Sequence, residues 1–192
     1  MTQIQKNLYL GDYENASNEK WLDFHHITHI VNCAIEHKNY HPQKIKYLEL
    51  KLEDSPYQPL YHVLEKSYNF IKKAINDNQV VLVHCHAGIS ISASIILYYI
   101  MKNNPGIMFD DAYIFVKSKR PIINPNEGFI KQLISVTPEV IKKKETINVK
   151  KNIPQSHPYI VKLPPKKRFD QPKFIEGSAQ ILRNVTKASS KI

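Results

Sequence analysis

Apolar positions along the first two thirds of the chain change their period several times, and each change marks an element. Leu8-Tyr9-Leu10 ahead of Gly11 predicts a short strand and a turn. Ser17, with Glu19 in the turn that follows, predicts an N-capped short helix reaching His25. Two strands come next, Ile30-Val31-Asn32-Cys33-Ala34 and Ile45 through Leu52, the first apolar enough to be buried on both faces. Leu60, Val63, Leu64, Tyr68, Ile71, Ala74 and Ile75 then recur at spacings of three and four, the pattern of an amphipathic helix, which Asn76-Asp77-Asn78 ends. Val80-Val81-Leu82-Val83 is an apolar strand, and Ser90 through Met101 reads as a largely buried helix stopped by Asn104-Pro105-Gly106. Further helices are predicted over 109–117 and from Pro125, behind Asn124, to about Val136. This order predicts an α/β fold: a central, mostly parallel sheet flanked by helices on both faces. There is no internal repeat.

Composition changes this picture in one place. The chain has 192 residues, 42% of them hydrophobic and 23% charged, enough for one domain with a core. Its net charge of +10 is unevenly held. Residues 1–141 carry 14 basic and 14 acidic side chains, whereas residues 142–192 carry 13 basic and 3 acidic ones. That second stretch also holds Pro154, Pro158, Pro164, Pro165 and Pro172 and few apolar clusters. The expected organisation is therefore a neutral folded domain, 1–141, followed by a basic, flexible extension, 142–192. Lys142-Lys143-Lys144 and Pro164-Pro165-Lys166-Lys167-Arg168 could serve as a nuclear address or as nonspecific contacts to nucleic acid or an acidic partner. A solvated charge run explains them equally well. No run of 18 apolar residues exists and the first residues lack an apolar signal region, which disfavours a membrane span and secretion. Two cysteines, Cys33 and Cys85, cannot make a disulfide framework. An intracellular setting, cytoplasmic or nuclear, is expected.

The candidate chemistry lies between the last strand and the buried helix. A strand ending in His84-Cys85, a turn through His86-Ala87-Gly88-Ile89 and a helix entered at Ser90 gather backbone N–H groups around one point. The helix N-terminus favours an anion there, Gly88 permits close backbone approach, and the same amides would stabilise a Cys85 thiolate. This combination suits attack by sulfur on a phosphate. Cys33, inside an apolar strand with no helix start beside it, reads as core. The other histidines, such as His25-His26, show no metal-ligand spacing, and neither metal nor cofactor is expected.

The run Val-His-Cys-His-Ala-Gly-Ile-Ser-Ile-Ser, residues 83–92, resembles the signature of the dual-specificity branch of the cysteine-dependent protein tyrosine phosphatases. That signature is His-Cys, five residues, then Arg and Ser or Thr. The likeness extends over about residues 1–140, through Asn7-Leu8-Tyr9-Leu10-Gly11, 27–32, Arg120-Pro121-Ile122-Ile123 and Pro125-Asn126-Glu127-Gly128-Phe129. It implies a phosphate-binding loop formed by His84, His86, Ala87, Gly88, Ile89, Ser90 and Ile91. It implies Cys85 as nucleophile, Asp54 as the general acid on a mobile loop, and Ser92 as the hydroxyl that helps the thiolate depart. His84 would orient the loop and tune the cysteine. Asp54 has Glu53 beside it, which leaves the register open, and His86 is an unassigned side chain that could add charge when protonated.

The departure is at Ile91, where the family pattern has arginine. Arginine there is a planar donor pair that grips two phosphate oxygens; isoleucine has neither donor nor charge. Losing one oxyanion donor costs on the order of a hundred- to a thousandfold in rate. Three readings follow. The first is a pseudophosphatase that binds phosphorylated partners and turns over little. The second is an active phosphatase that is slow or aided by another cation. The third makes the basic extension the working part.

Overall fold

The computed structural model describes residues 1–145, with side chains through Val136. Among them the elements run β1 (Thr2–Gln5), β2 (Leu8–Gly11), α1 (Tyr13–Ser17), α2 (Glu19–Phe24), β3 (Ile27–Ala34), β4 (Lys46–Leu52), α3 (Tyr61–Asn76), β5 (Val80–His84), α4 (Ile91–Asn103), α5 (Phe109–Lys119) and α6 (Glu127–Glu145). The sheet has five strands in the order β1-β2-β5-β3-β4. Only the β1/β2 pairing is antiparallel; β2/β5, β5/β3 and β3/β4 are parallel, as the alternation of strands and helices predicts.

Alternation along each central strand builds two cores. Val81 and Val83 of β5 and Val31 and Cys33 of β3 join the larger cluster beneath α3 to α6. Leu82 and Ile30 face the opposite side, where they pack with Ala16 and Leu22 of the short helices α1 and α2. Helices thus cover both faces, thickly on one and thinly on the other. The two central strands are apolar on both faces for this reason. α4 lies within the larger cluster, and every side chain from Ile91 to Met101 is buried. None of the described helices is long and apolar enough to cross a membrane.

Several expectations need correction. The cap of the helix ending near His25 is Asn18, whose side chain accepts from the Trp21 amide at 3.2 Å, rather than Ser17. Ser17 instead closes α1, a helix capped by Asp12 that the apolar pattern does not announce. β1 is also unannounced, because an edge strand needs only one apolar position and Ile4 supplies it. The last helix begins at Glu127, not Pro125: the Asn126 side chain accepts from the Phe129 amide at 3.0 Å and takes the cap. That helix runs to Glu145, past the expected end near Val136. The remainder of the basic stretch lies outside the described residues.

Candidate active site

β5 is the middle strand, and the chain leaves its C-terminal end directly into the loop 85–90. In parallel α/β sheets that is the edge where anions bind. The loop is held from outside by its carbonyls. His86 O accepts from the Tyr13 amide at 3.0 Å and Ile89 O from the Asn124 amide at 2.9 Å. Between them, Arg120 donates from Nη2 to Ala87 O at 3.2 Å and from Nε to Gly88 O at 2.9 Å. A trans peptide sets its N–H antiparallel to its C=O. Four carbonyls engaged outward therefore leave the amides of residues 87–90 turned inward, as an anion-binding nest requires. Gly88 has a φ of +67°, and a Cβ there would lie 2.4 Å from Gly11 O and 2.7 Å from Arg120 Nη2. Only glycine fits that position.

Arg120 is 8% exposed and belongs to this support. Its Nη1 also donates to Thr2 Oγ1 at 3.2 Å, and its Nη2 lies 3.6 Å from Asp12 Oδ2. One guanidinium thus joins β1, the start of α1 and two successive loop carbonyls.

Cys85 is buried at the base of the loop, its Sγ 3.1 Å from Ser92 Oγ in the first turn of α4. Ser92 therefore meets the sulfur rather than capping its own helix. Asp54 is the carboxylate brought to the loop. Its Oδ1 accepts from Ser90 Oγ at 2.7 Å and from Asn126 Nδ2 at 2.8 Å, while Ser90 Oγ accepts from the Asn126 amide at 3.2 Å. Glu53 instead bonds through its backbone amide to Gln58 Oε1. The loop after β4 is also anchored to α6. Gln132 of α6 accepts from the Leu60 amide at 2.7 Å and donates to Gln58 O at 2.9 Å. A Cβ on Gly128 would sit 1.8 Å from Pro56 O, so the missing side chain lets this segment lie on α6.

Ile91 is 2% exposed and part of the larger apolar cluster. Its side chain brings no donor to the cradle. Cys33 is fully buried, and burial pushes its thiol well above the usual range, as expected of core sulfur.

His84 is fully buried, with Nδ1 3.3 Å from Cys85 O and Nε2 without a hydrogen-bond partner among the described residues. Desolvation lowers its pKa from 6.5 to about 4. The unfolded chain therefore takes up a proton at this position below pH 6.5, whereas the folded one does so only near 4. Stability from this group is complete above 6.5 and falls as pH drops from 6.5 to 4, by on the order of 3 kcal/mol in all. Urea midpoints followed across that window should decline in the wild type and decline less in His84→Asn. Equal slopes in the two proteins would show that His84 is not the source.

His86 has partners that the sequence does not reveal. Its Nδ1 lies 3.0 Å from Nε2 of His37, and the Tyr13 ring stacks parallel to both imidazoles at 5.0 and 4.9 Å. No sequence spacing relates His37 to His86; the fold brings them together. Glu36, His37 and His86 place one ligand atom each within 4.8 Å of one another, a set that could hold a metal ion. Their separation of 49 residues hides it from any spacing rule. Arg120, Tyr13, Asn124 and Asn126 went unread as site residues for a similar reason: each reaches the loop from at least 30 residues away in sequence.

These features define a class: a parallel α/β sheet whose middle strand delivers a cysteine into an amide-lined loop at a helix N-terminus. The dual specificity phosphatase catalytic domain matches residues 8–139, and the chain belongs to that family. It is 37% identical over 134 residues to human dual specificity protein phosphatase 14, covering 70% of this chain and 67% of that protein. It is 42% identical over 130 residues to a rhodanese domain-containing dual specificity protein phosphatase of Dictyostelium discoideum, covering 68% of this chain. There the chain spans about a quarter, 27%, of the relative's length. Among solved structures, the human tyrosine phosphatase-like serine/threonine/tyrosine-interacting protein superposes with a TM-score of 0.66 at 33% identity, over 77% of this chain and 96% of the other.

Proposed function

We propose that this member of the dual specificity phosphatases is a pseudophosphatase: it binds phosphorylated protein segments in the 85–90 loop and hydrolyses them weakly or not at all. The observation that carries the reading is Ile91, an apolar side chain buried at the entry to α4 where the family pattern has a bidentate cation. The amides of the nest still attract an oxyanion, so affinity for phosphate is retained at a low level while the transition-state charge lacks its strongest partner. The likeness to a protein whose name describes it as phosphatase-like and interacting agrees with a binding role.

The contact of Cys85 with Ser92 and the tether of Asp54 to Ser90 favour a second reading, an active phosphatase. In it, Cys85 sulfur bonds to phosphorus as the P–O bond to the leaving group breaks, and Asp54 gives that oxygen its proton. Water then attacks phosphorus and breaks the S–P bond, its proton passing to the Asp54 carboxylate, while Ser92 assists the departing thiolate.

The test uses purified protein with a small aryl phosphate and a phosphotyrosine peptide, read for both hydrolysis and binding. Binding of the peptide by wild type and Cys85→Ser with negligible hydrolysis by either supports the first reading. Robust wild-type hydrolysis lost in Cys85→Ser replaces it with the second.

A further inference from the structure

We propose that Glu36, His37 and His86 form a binding site for a divalent cation of the zinc type, next to the phosphate-binding loop. The proposal goes beyond the phosphatase reading and stands whether or not the loop catalyses anything.

Three ligand atoms within 4.8 Å, two imidazole nitrogens and a carboxylate oxygen, are a donor set suited to zinc. Three protein ligands leave a fourth tetrahedral position for water or an anion. His37 Nε2 and His86 Nδ1 are 3.0 Å apart, and zinc with Zn–N bonds of about 2.0–2.1 Å spaces two nitrogens by roughly 3.3 Å. The pair needs to open by only a few tenths of an ångström. The two ring planes are within 12° of parallel, and with centroids 5.2 Å and nitrogens 3.0 Å apart the nitrogens face one another, so a swing of each ring turns both lone pairs on a common point.

The ligands are held from behind, which separates this group from a chance meeting of surface side chains. His37 Nδ1 is 3.2 Å from Tyr40 Oη, the kind of outer partner that fixes a ligand histidine's tautomer and leaves Nε2 for the metal. The His37 carbonyl accepts from Nδ2 of Asn32, a buried residue of β3, at 2.7 Å. The His86 carbonyl is bonded by the Tyr13 amide, and the Tyr13 ring stacks on both imidazoles. A bound cation would tie the residue after Cys85 to the segment after β3. It would also add positive charge to a loop in which Ile91 supplies none.

The experiment measures Zn²⁺ binding to the full chain by competition with a chromophoric chelator, and Co²⁺ binding by visible absorption, which reports tetrahedral coordination and thiolate ligation separately. The expected result is one Zn²⁺ per chain and a tetrahedral Co²⁺ spectrum without a sulfur band. His37→Ala and His86→Ala should each weaken binding by at least about tenfold. Glu36→Gln should weaken it less, and Cys85→Ser should leave it unchanged. Thermal melts of the variants without metal confirm that each is folded. Binding by the wild type that fails to saturate by about 100 μM overturns the proposal, as does binding that survives both histidine substitutions. Loss of binding in Cys85→Ser also overturns it, by moving the ion onto the thiol. Because Cys85→Ser removes any hydrolysis yet keeps the metal site, failure here and failure of the phosphatase reading are told apart.

Discussion

Ile91→Arg is expected to raise hydrolysis of a small aryl phosphate by at least about a hundredfold over wild type, the low end of one oxyanion donor's worth. The Cys85 thiol, the neighbouring Ser92 hydroxyl and the Asp54 carboxylate are already assembled around the loop, and the substitution adds a guanidinium to them. A guanidinium binds two oxygens in a fixed plane, which makes the effect specific to arginine. Ile91→Lys should recover less, and Ile91→Met, long but uncharged, should recover nothing. The gain should vanish when Cys85→Ser is combined with Ile91→Arg. Ile91 is enclosed by apolar neighbours, so the arginine variant should be less stable without ligand and regain stability with phosphate or vanadate. A folded Ile91→Arg protein that stays inactive would mean that the site has diverged at more than one position.

Arg120→Ala should have the largest effect on the fold. It removes the donor to Ala87 O, Gly88 O and Thr2 Oγ1 and the cation beside Asp12. Two loop carbonyls then lose their partners, each worth roughly 1–3 kcal/mol when buried and unsatisfied. A total of about 3 kcal/mol corresponds to a drop in Tm of roughly 10 °C for a domain of this size. Oxyanion binding should weaken at the same time, because the carbonyls are no longer held outward. Arg120→Lys should recover only part of either property, since a single ammonium cannot span both carbonyls. An unchanged melting temperature in Arg120→Ala would contradict the role assigned to this side chain.

How much of this was legible beforehand depends on sequence distance. The order and type of the main strands and helices follow from periodicity, because each element buries its own face. The loop from Cys85 to Ser90 is contiguous, so its strand, turn and helix start can be read together. β1 escaped because one buried residue makes no pattern, and α1 because its five residues are fixed by the Asp12–Asn15 capping box rather than by a stripe. The supports of the loop escaped for another reason. Arg120 is one basic residue among 27 until the fold carries it under Gly88, and nothing about His37 in isolation points to His86. Asp54 was legible as a candidate but its tether was not: Asn126 caps and Gly128 opens a helix more than 70 residues away, and the second matters only through an absent Cβ.

The burial of α4 on every side has a consequence for which changes the chain can accept. Around α3, which has a wet face, tolerance to substitution should rise and fall with the helical repeat. Along α4 no such cycle exists: from Ile91 to Met101 each position is limited by the volume around it, and Ser94 is polar only because its hydroxyl returns to Ser90 O. Position 91 opens this stretch, so the volume that its neighbours leave, as well as the chemistry of the loop, limits what can stand there.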